Sequence, residues 1–314
     1  MTRQSFRADL LMLFIAVIWG SALVAQRLGM EAVGPFFFSA ARFLIGAVLL
    51  LPLVYFRSKA ENGKTERLWR DGTLLGMVIA VGINLQQIGL QFTSIANAGF
   101  ITGLYVVIVP VVGLFLRHKV PGATWVGILL AVAGMYFLSV QGDLQIAKGD
   151  WLQLIGAFAW AAHVVLVSIL SQRHDPIRLS VVQFFVCGLV CLLLSLLFEP
   201  VSSQHIVKAL PAILYGGVFS VGLGYTLQVV AQRSAIPSHA AIIFSMESVF
   251  AALAAWLVLG ETLTMRAMFG AALMLLGMLV AQLVPLYKQK QTETPLASSL
   301  AHESSSLLAK TDHV

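Results

Sequence analysis

Ten stretches of this chain run almost without charge for about 20 residues each. They are residues 10–28, 35–56, 72–92, 95–116, 122–140, 151–170, 177–198, 210–231, 237–259 and 267–286. An α-helix rises about 1.5 Å per residue, so each is long enough to cross a hydrocarbon layer about 30 Å thick. No water is available there to bond the backbone, which leaves helices or closed barrels as the spanning structures. Barrel strands would be about half as long and would alternate in polarity. These stretches do neither. The 314 residues are 59% hydrophobic and only 11% charged, too little charge to cover a soluble surface. The sequence predicts an all-α membrane protein of ten transmembrane helices joined by short links.

The charges then set the topology. With the amino terminus in the cytoplasm, fifteen basic residues fall inside, from Arg3 and Arg7 to Lys288, Lys290 and Lys310. Four fall outside: Arg27, Lys148, Lys208 and Arg266. Cytoplasmic links carry the basic excess, so both termini are expected in the cytoplasm. The net charge of +6 is thereby explained by topology rather than by nucleic acid. The first apolar run is long for a secretory signal and lacks a clear small-residue cleavage site, so it reads as a retained helix. Cys187 and Cys191 lie one turn apart on one helix, an unfavourable geometry for a disulfide and an ordinary one for core packing.

The sequence also repeats itself. At an offset of 141 residues Asp9 meets Asp150, Ala16 meets Ala157, Trp19 meets Trp160 and Phe43 meets Phe184. Gly76 meets Gly217, Gln87 meets Gln228, Gln91 meets Gln232 and Ile101 meets Ile242. A two-residue insertion near 259–261 moves the offset to 143, where Gly127 meets Gly270 and Gly134 meets Gly277. Each half holds five helices. Five is odd, so the second half enters the membrane from the opposite face and the repeats are inverted. Two inverted repeats around a central site are the architecture of many secondary transporters. The expected units are 1–147, 148–287 and a polar, Ser-rich tail over 288–314 that reads as disordered.

Particular residues carry a family resemblance. "AVIWGSALVAQRL" (16–28), "AARFLIGAVLLLPL" (40–53) and "SMESVFAALAAWLVLGETLTMRAMFGAALMLLGMLV" (245–280) resemble the EamA-type permeases of the drug/metabolite transporter superfamily. Ser248 stands where that family often has proline after the glutamate. The resemblance covers about residues 8–287. It implies transport of a small metabolite, amino acid or drug-like solute, with export as the direction.

Polar groups inside the apolar runs are the candidate site. Of fourteen acidic residues only Glu247 is mid-span, about 15 Å from its helix end. An acid at that depth costs about 2.5–3.5 kcal/mol on insertion scales, so it must meet the bundle interior, a partner or water. It is either a proton-coupling or solute-contacting carboxylate or a hydrogen-bonded packing group. Arg42 sits seven residues into the second run, with two options: snorkelling to headgroups, or facing a pocket near Glu247. His163 lies one turn beyond Trp160, as a titrating group or a satisfied core histidine. Asn84, Gln87 and Gln91 share a helix face, partly repeated by Gln228 and Gln232. Asn84, Gln87 and Gln228 are expected at a cavity, and Gln91 and Gln232 as interhelical glue. Tyr105 and Tyr225 lie at cavity depth, and Trp19 and Trp160 are too deep for an interfacial belt, so they line the cavity or wedge the core.

Glycines seven apart, at 127, 134, 270 and 277, predict close helix contact rather than phosphate binding. No Walker sequence, no H-E-x-x-H and no second mid-span acid occurs, so neither an ATPase, nor a zinc protease, nor an intramembrane aspartyl protease is expected. The expected protein is therefore no enzyme and needs no cofactor or metal. It is a multi-pass permease of the bacterial inner membrane whose partners are a small-molecule solute, lipid and protons. The alternatives are an uncoupled facilitator and a non-transporting sensor or scaffold.

Overall fold

A computed structural model describes residues 3–57, 65–93, 95–117, 120–139, 147–200, 202–260, 262–281 and 283–284. All regular structure among them is helical. The helices are α1 (Arg3–Met30), α2 (Pro35–Arg57), α3 (Thr65–Gly89), α4 (Ile95–Gly103), α5 (Tyr105–Phe115), α6 (Gly122–Ser139) and α7 (Lys148–Leu170). They continue with α8 (Pro176–Phe198), α9 (Ser203–Tyr215), a π-helical stretch (Gly216–Tyr225), α10 (Thr226–Gln232), α11 (Pro237–Ser245) and α12 (Glu247–Leu259). A last helix, α13, spans Met265–Ala281.

Among the described residues eight helical segments are long and apolar enough to cross a membrane. They correspond to the expected first four runs and the sixth to ninth. Gly122–Leu138 and Met265–Ala281, the expected fifth and tenth, are apolar but shorter. The tail from 288 lies outside the described residues, as does Glu261. The chain is a multi-pass membrane protein, and its polarity is arranged accordingly. Leu196, Phe198, Val207 and Leu257 are exposed on the outside, while Ser39, Arg42, Gln87, Gln153, His163 and Gln183 are buried within. Hydrocarbon accepts the first set, and the second set is kept from it.

The two halves interlock rather than sit side by side. α1 packs on α12, and its counterpart α7 packs on α4 and α5. α2 packs on the π-helical stretch as α8 packs on α3, and α2 and α8 pack on each other. α6 and α13 meet along the expected glycines. A Cβ on Gly134 would lie 2.5 Å from the Gly270 oxygen, and one on Gly270 would lie 2.5 Å from the Gly134 oxygen. Gly127 and Gly277 approach in the same reciprocal way at 2.6 Å. The pairing of 127 with 277 and of 134 with 270 makes the two helices antiparallel. Exchanging equivalent residues between halves turns one contact into the other.

Helix ends are held by local and cross-half bonds. Asp175 accepts from the backbone of Ile177 and Arg178 with Pro176 in the first turn, an N-cap. Glu199, at the end of α8, accepts from Phe36 N and Phe37 N at 2.7 Å each and so caps α2 of the other half. Gly260, with φ of 69°, closes α12 in the left-handed region. Cys187 and Cys191 are free thiols, and Cys191 contacts Asn84.

The α6–α13 seam yields a direct expectation. Gly270→Val or Gly134→Val places methyl groups against a carbonyl oxygen with no space to yield. Either substitution should destabilise the fold by at least about 1–3 kcal/mol, read as a lower thermal midpoint of the purified protein. Gly122→Val, where a Cβ meets nothing within 4 Å, is the control.

Candidate functional site

The fourth and ninth spans are each interrupted once, at Leu104 and at Met246. The two residues have nearly the same backbone angles, φ −60°, ψ −13° and φ −61°, ψ −15°. At both, the chain tightens into i→i−3 bonding. Leu104 N bonds Ile101 O and Val107 N bonds Leu104 O, while Met246 N bonds Ile243 O and Val249 N bonds Met246 O. Neither interruption contains proline. Ser248, in the place where the resembling family often has proline, instead donates to Gly99 O at 3.1 Å and ties α12 to α4.

Tyr105 and Glu247 immediately follow these two interruptions and line one internal cavity. The cavity draws residues from both halves. α1 gives Trp19 and Gln26, α2 gives Arg42, α3 gives Ile83 and Gln86, and α4 gives Thr102. From the second half come Trp160, His163 and Val164 of α7, Ser220 and Tyr225 of the π-helical stretch, Gln228 and Phe244. About 40 Å³ is open to water, room for roughly three molecules.

Tyr225 is the hub of an aromatic cluster. Its ring centre lies 4.7 Å from Trp19, 5.8 Å from Phe43, 6.1 Å from His163 and 6.3 Å from Trp160, which is stacked on it at 19°. Trp19 also meets Phe244 at 5.3 Å and donates Nε1–H to Ser220 O at 3.2 Å. Trp160 Nε1 has no hydrogen-bond partner among the described residues. The two tryptophans therefore line the cavity and brace Tyr225. His163 is buried, with Nε2 3.2 Å from Gln183 Oε1 and Nδ1 unpartnered.

Arg42 does not snorkel. It is 1% exposed, and its guanidinium lies between the rings of Phe38 and Phe43, 5.5 and 5.3 Å away. It forms no ion pair with Glu247. Asp71 pairs with Arg70 and His174 where α3 starts, beside the α7–α8 link.

Two expected residues lie off the cavity. Asn84 donates to Ala80 O at 2.7 Å and to Cys191 Sγ at 3.3 Å, toward α8, and Gln87 is buried elsewhere with both polar atoms unpartnered. Their counterparts Tyr225 and Gln228 do line it. The cause is the π-helical stretch. Its i→i+5 turns are wider than those of the regular α3, so the two halves present different faces at matching positions. In α3 the polar residue that reaches the cavity is Gln86, one place before the expected Gln87, together with Ile83. Gln232 binds Val164 O at 3.0 Å and Ser168 Oγ at 2.9 Å, joining α10 to α7, and Gln91 is exposed.

Gln26, Gln86, Thr102 and Ser220 were not anticipated. Periodicity could have found two of them: Gln26 is seven residues after Trp19, and Thr102 three before Tyr105, each on the same helical face. Thr102 donates to Gln153 Oε1 at 3.0 Å, and Gln153 donates to Gln86 O at 3.0 Å, a bonded chain linking α4, α7 and α3 at the cavity wall.

The chain matches the EamA-like transporter family twice, over residues 6–140 and 147–282. It is 31% identical over 277 residues to an "uncharacterized transporter" of Archaeoglobus fulgidus, covering 88% of this chain and 86% of that one. It is 28% identical to the "uncharacterized transporter YwfM" of Bacillus subtilis, covering 91% and 96%. With the chloroplastic "WAT1-related protein At3g02690" of Arabidopsis thaliana it shares 26% identity over 82% of this chain and 65% of that one. A solved crystal structure matches at TM-score 0.74 and 19% identity over 88% of this chain and 96% of that chain, a likeness of fold.

Arg42 gives a stability test of the site. A buried guanidinium without a counter-ion costs free energy in the empty protein, which an apolar side chain of similar length would not. Arg42→Met should therefore raise the thermal midpoint of the ligand-free protein, by the equivalent of about 1 kcal/mol or more. A fall would assign Arg42 to holding the fold.

Proposed function

We infer the work of this chain from one premise: it belongs to the EamA-like transporter family. Its function is secondary transport of a small metabolite, amino acid or drug-like solute by alternating access. The cavity lies between the halves, the two repeats are inverted, and their relative rocking opens it to one side and then the other. Ten spans result when the two shorter apolar helices also cross the membrane. The division into repeats near residue 147 agrees with the two family matches. The distribution of basic residues supports cytoplasmic termini, in what we read as a bacterial inner membrane.

The observation that carries this reading is the paired interruption at Leu104 and Met246, which delivers Tyr105 and Glu247 to one cavity. A helix interrupted at membrane depth beside a cavity is where transporters place solute and ion sites. Glu247 is the acid of that cavity and is half-buried there. It takes the coupling role: it binds a proton in one half of the cycle and releases it in the other, and the proton gradient drives outward movement of solute. Export as the direction follows from the family resemblance.

The test is metabolite profiling of medium from cells producing wild type or Glu247→Gln at matched membrane levels, followed by flux of the compound found into vesicles at several pH values. Wild type should enrich the medium in a compound that the variant does not. In vesicles, imposed proton gradients should accelerate wild type and leave Glu247→Gln unmoved. Equal, pH-dependent transport by both proteins would remove Glu247 from the coupling role, and gradient-independent flux by wild type would make the protein a facilitator. Absence of flux in either direction would return the chain to a sensor or scaffold role.

A further inference from the structure

Arg42 is a buried cation without an anion. Among the described residues no carboxylate pairs with it. Its two ring neighbours, Phe38 and Phe43, favour a positive charge over their faces. They accept none of the N–H bonds that lie in the guanidinium plane. Nε and Nη2 have no hydrogen-bond partner among the described residues. These two nitrogens lie on one edge of the planar group and donate in parallel, the fork that fits the two oxygens of one oxyanion.

The same residue lines the cavity, and among the described residues no other lysine or arginine does. Around the rest of the lining stand Trp19, Trp160, Tyr225 and Phe244, flat apolar surface that asks nothing of a ligand but contact. Trp160 Nε1 and His163 Nδ1 add unpartnered polar atoms at its edge. One cation, and an acid on the opposite half, suit a singly charged anion better than a doubly charged phosphate.

We propose that Arg42 is the docking point for the carboxylate of a monoanionic solute, held bidentately through Nε–H and Nη2–H, with the apolar body of the solute against Trp19, Trp160 and Tyr225. The proposal rests on the transport reading only in treating this ligand as the solute that is moved. The cavity must widen to admit it, because its present volume suits about three waters.

Binding can be measured without transport. Purified full-length protein in nanodiscs is titrated with three matched pairs: phenylacetate and phenylacetamide, 3-phenylpropionate and its amide, hexanoate and its amide, with phenyl phosphate alongside. Wild type should prefer at least one acid over its amide by about tenfold or more. That preference should vanish in Arg42→Gln and survive in weakened form in Arg42→Lys, which keeps the charge but not the fork. Monodisperse elution of both variants verifies folding, and Arg42→Lys provides the answer should Arg42→Gln fail to fold: unchanged preference there overturns the fork. No acid preference in any pair, a preference that survives Arg42→Gln, or tighter binding of phenyl phosphate overturns the proposal. A failed flux experiment with intact acid preference would remove the transport reading and leave the anion site. Successful flux without acid preference would do the reverse.

Discussion

Hydrocarbon as solvent is the constraint on which the rest of this structure depends. It forces the backbone of each span into a helix and draws most polar side chains of the spans into the bundle. The interior thus becomes the place where polarity collects. Gln153, Thr102 and Gln86 bond one another across three helices, and Gln232 bonds α7. Part of what remains unbonded, on Gln26, Arg42, Trp160, His163 and Gln228, lines one cavity. A soluble protein would hide its apolar groups and scatter such residues over its surface. Here the same accounting concentrates chemistry at the centre, where a solute in transit has to pass.

The interlocking of the halves gives that centre its walls. α1 and α12, α7 and α4–α5, α2 and α8 are all contacts across the repeat boundary. No half encloses the cavity alone. Glu199 capping α2 from the other half adds a polar tie at a helix end. Ser248 does the same at depth, beside the interruption that delivers Glu247.

Much of this was legible in the residues. Apolar length gave eight of the ten expected spans, and glycines seven apart gave the close contact that α6 and α13 make. Depth plus polarity singled out Trp19, Arg42, Tyr105, Trp160, His163, Tyr225, Gln228 and Glu247, which the fold brings to one cavity. Asn84 and Gln87 were misplaced because symmetry in sequence was carried over as symmetry in face. One π-helical stretch in one half breaks that equivalence, and its residues, Gly216–Tyr225, carry no local pattern that distinguishes i→i+5 from i→i+4 bonding. The interruptions were hidden for a similar reason. Leu104 and Met246 are good helix formers, and only the packing around them selects the tighter turn. Whether Arg42 reached headgroups or the interior turned on helix rotation, which a nearly uniform apolar run does not encode.

The small volume of the cavity has a consequence for how ligands are found. A solute larger than a few waters must supply the free energy that parts the helices, so its measured affinity is its contact energy less that opening cost. Compounds ranked by affinity alone will favour those that fit the narrow state and hold it shut. The tightest binders of this protein should therefore be searched for inhibitors, and its natural cargo sought among the weaker ones.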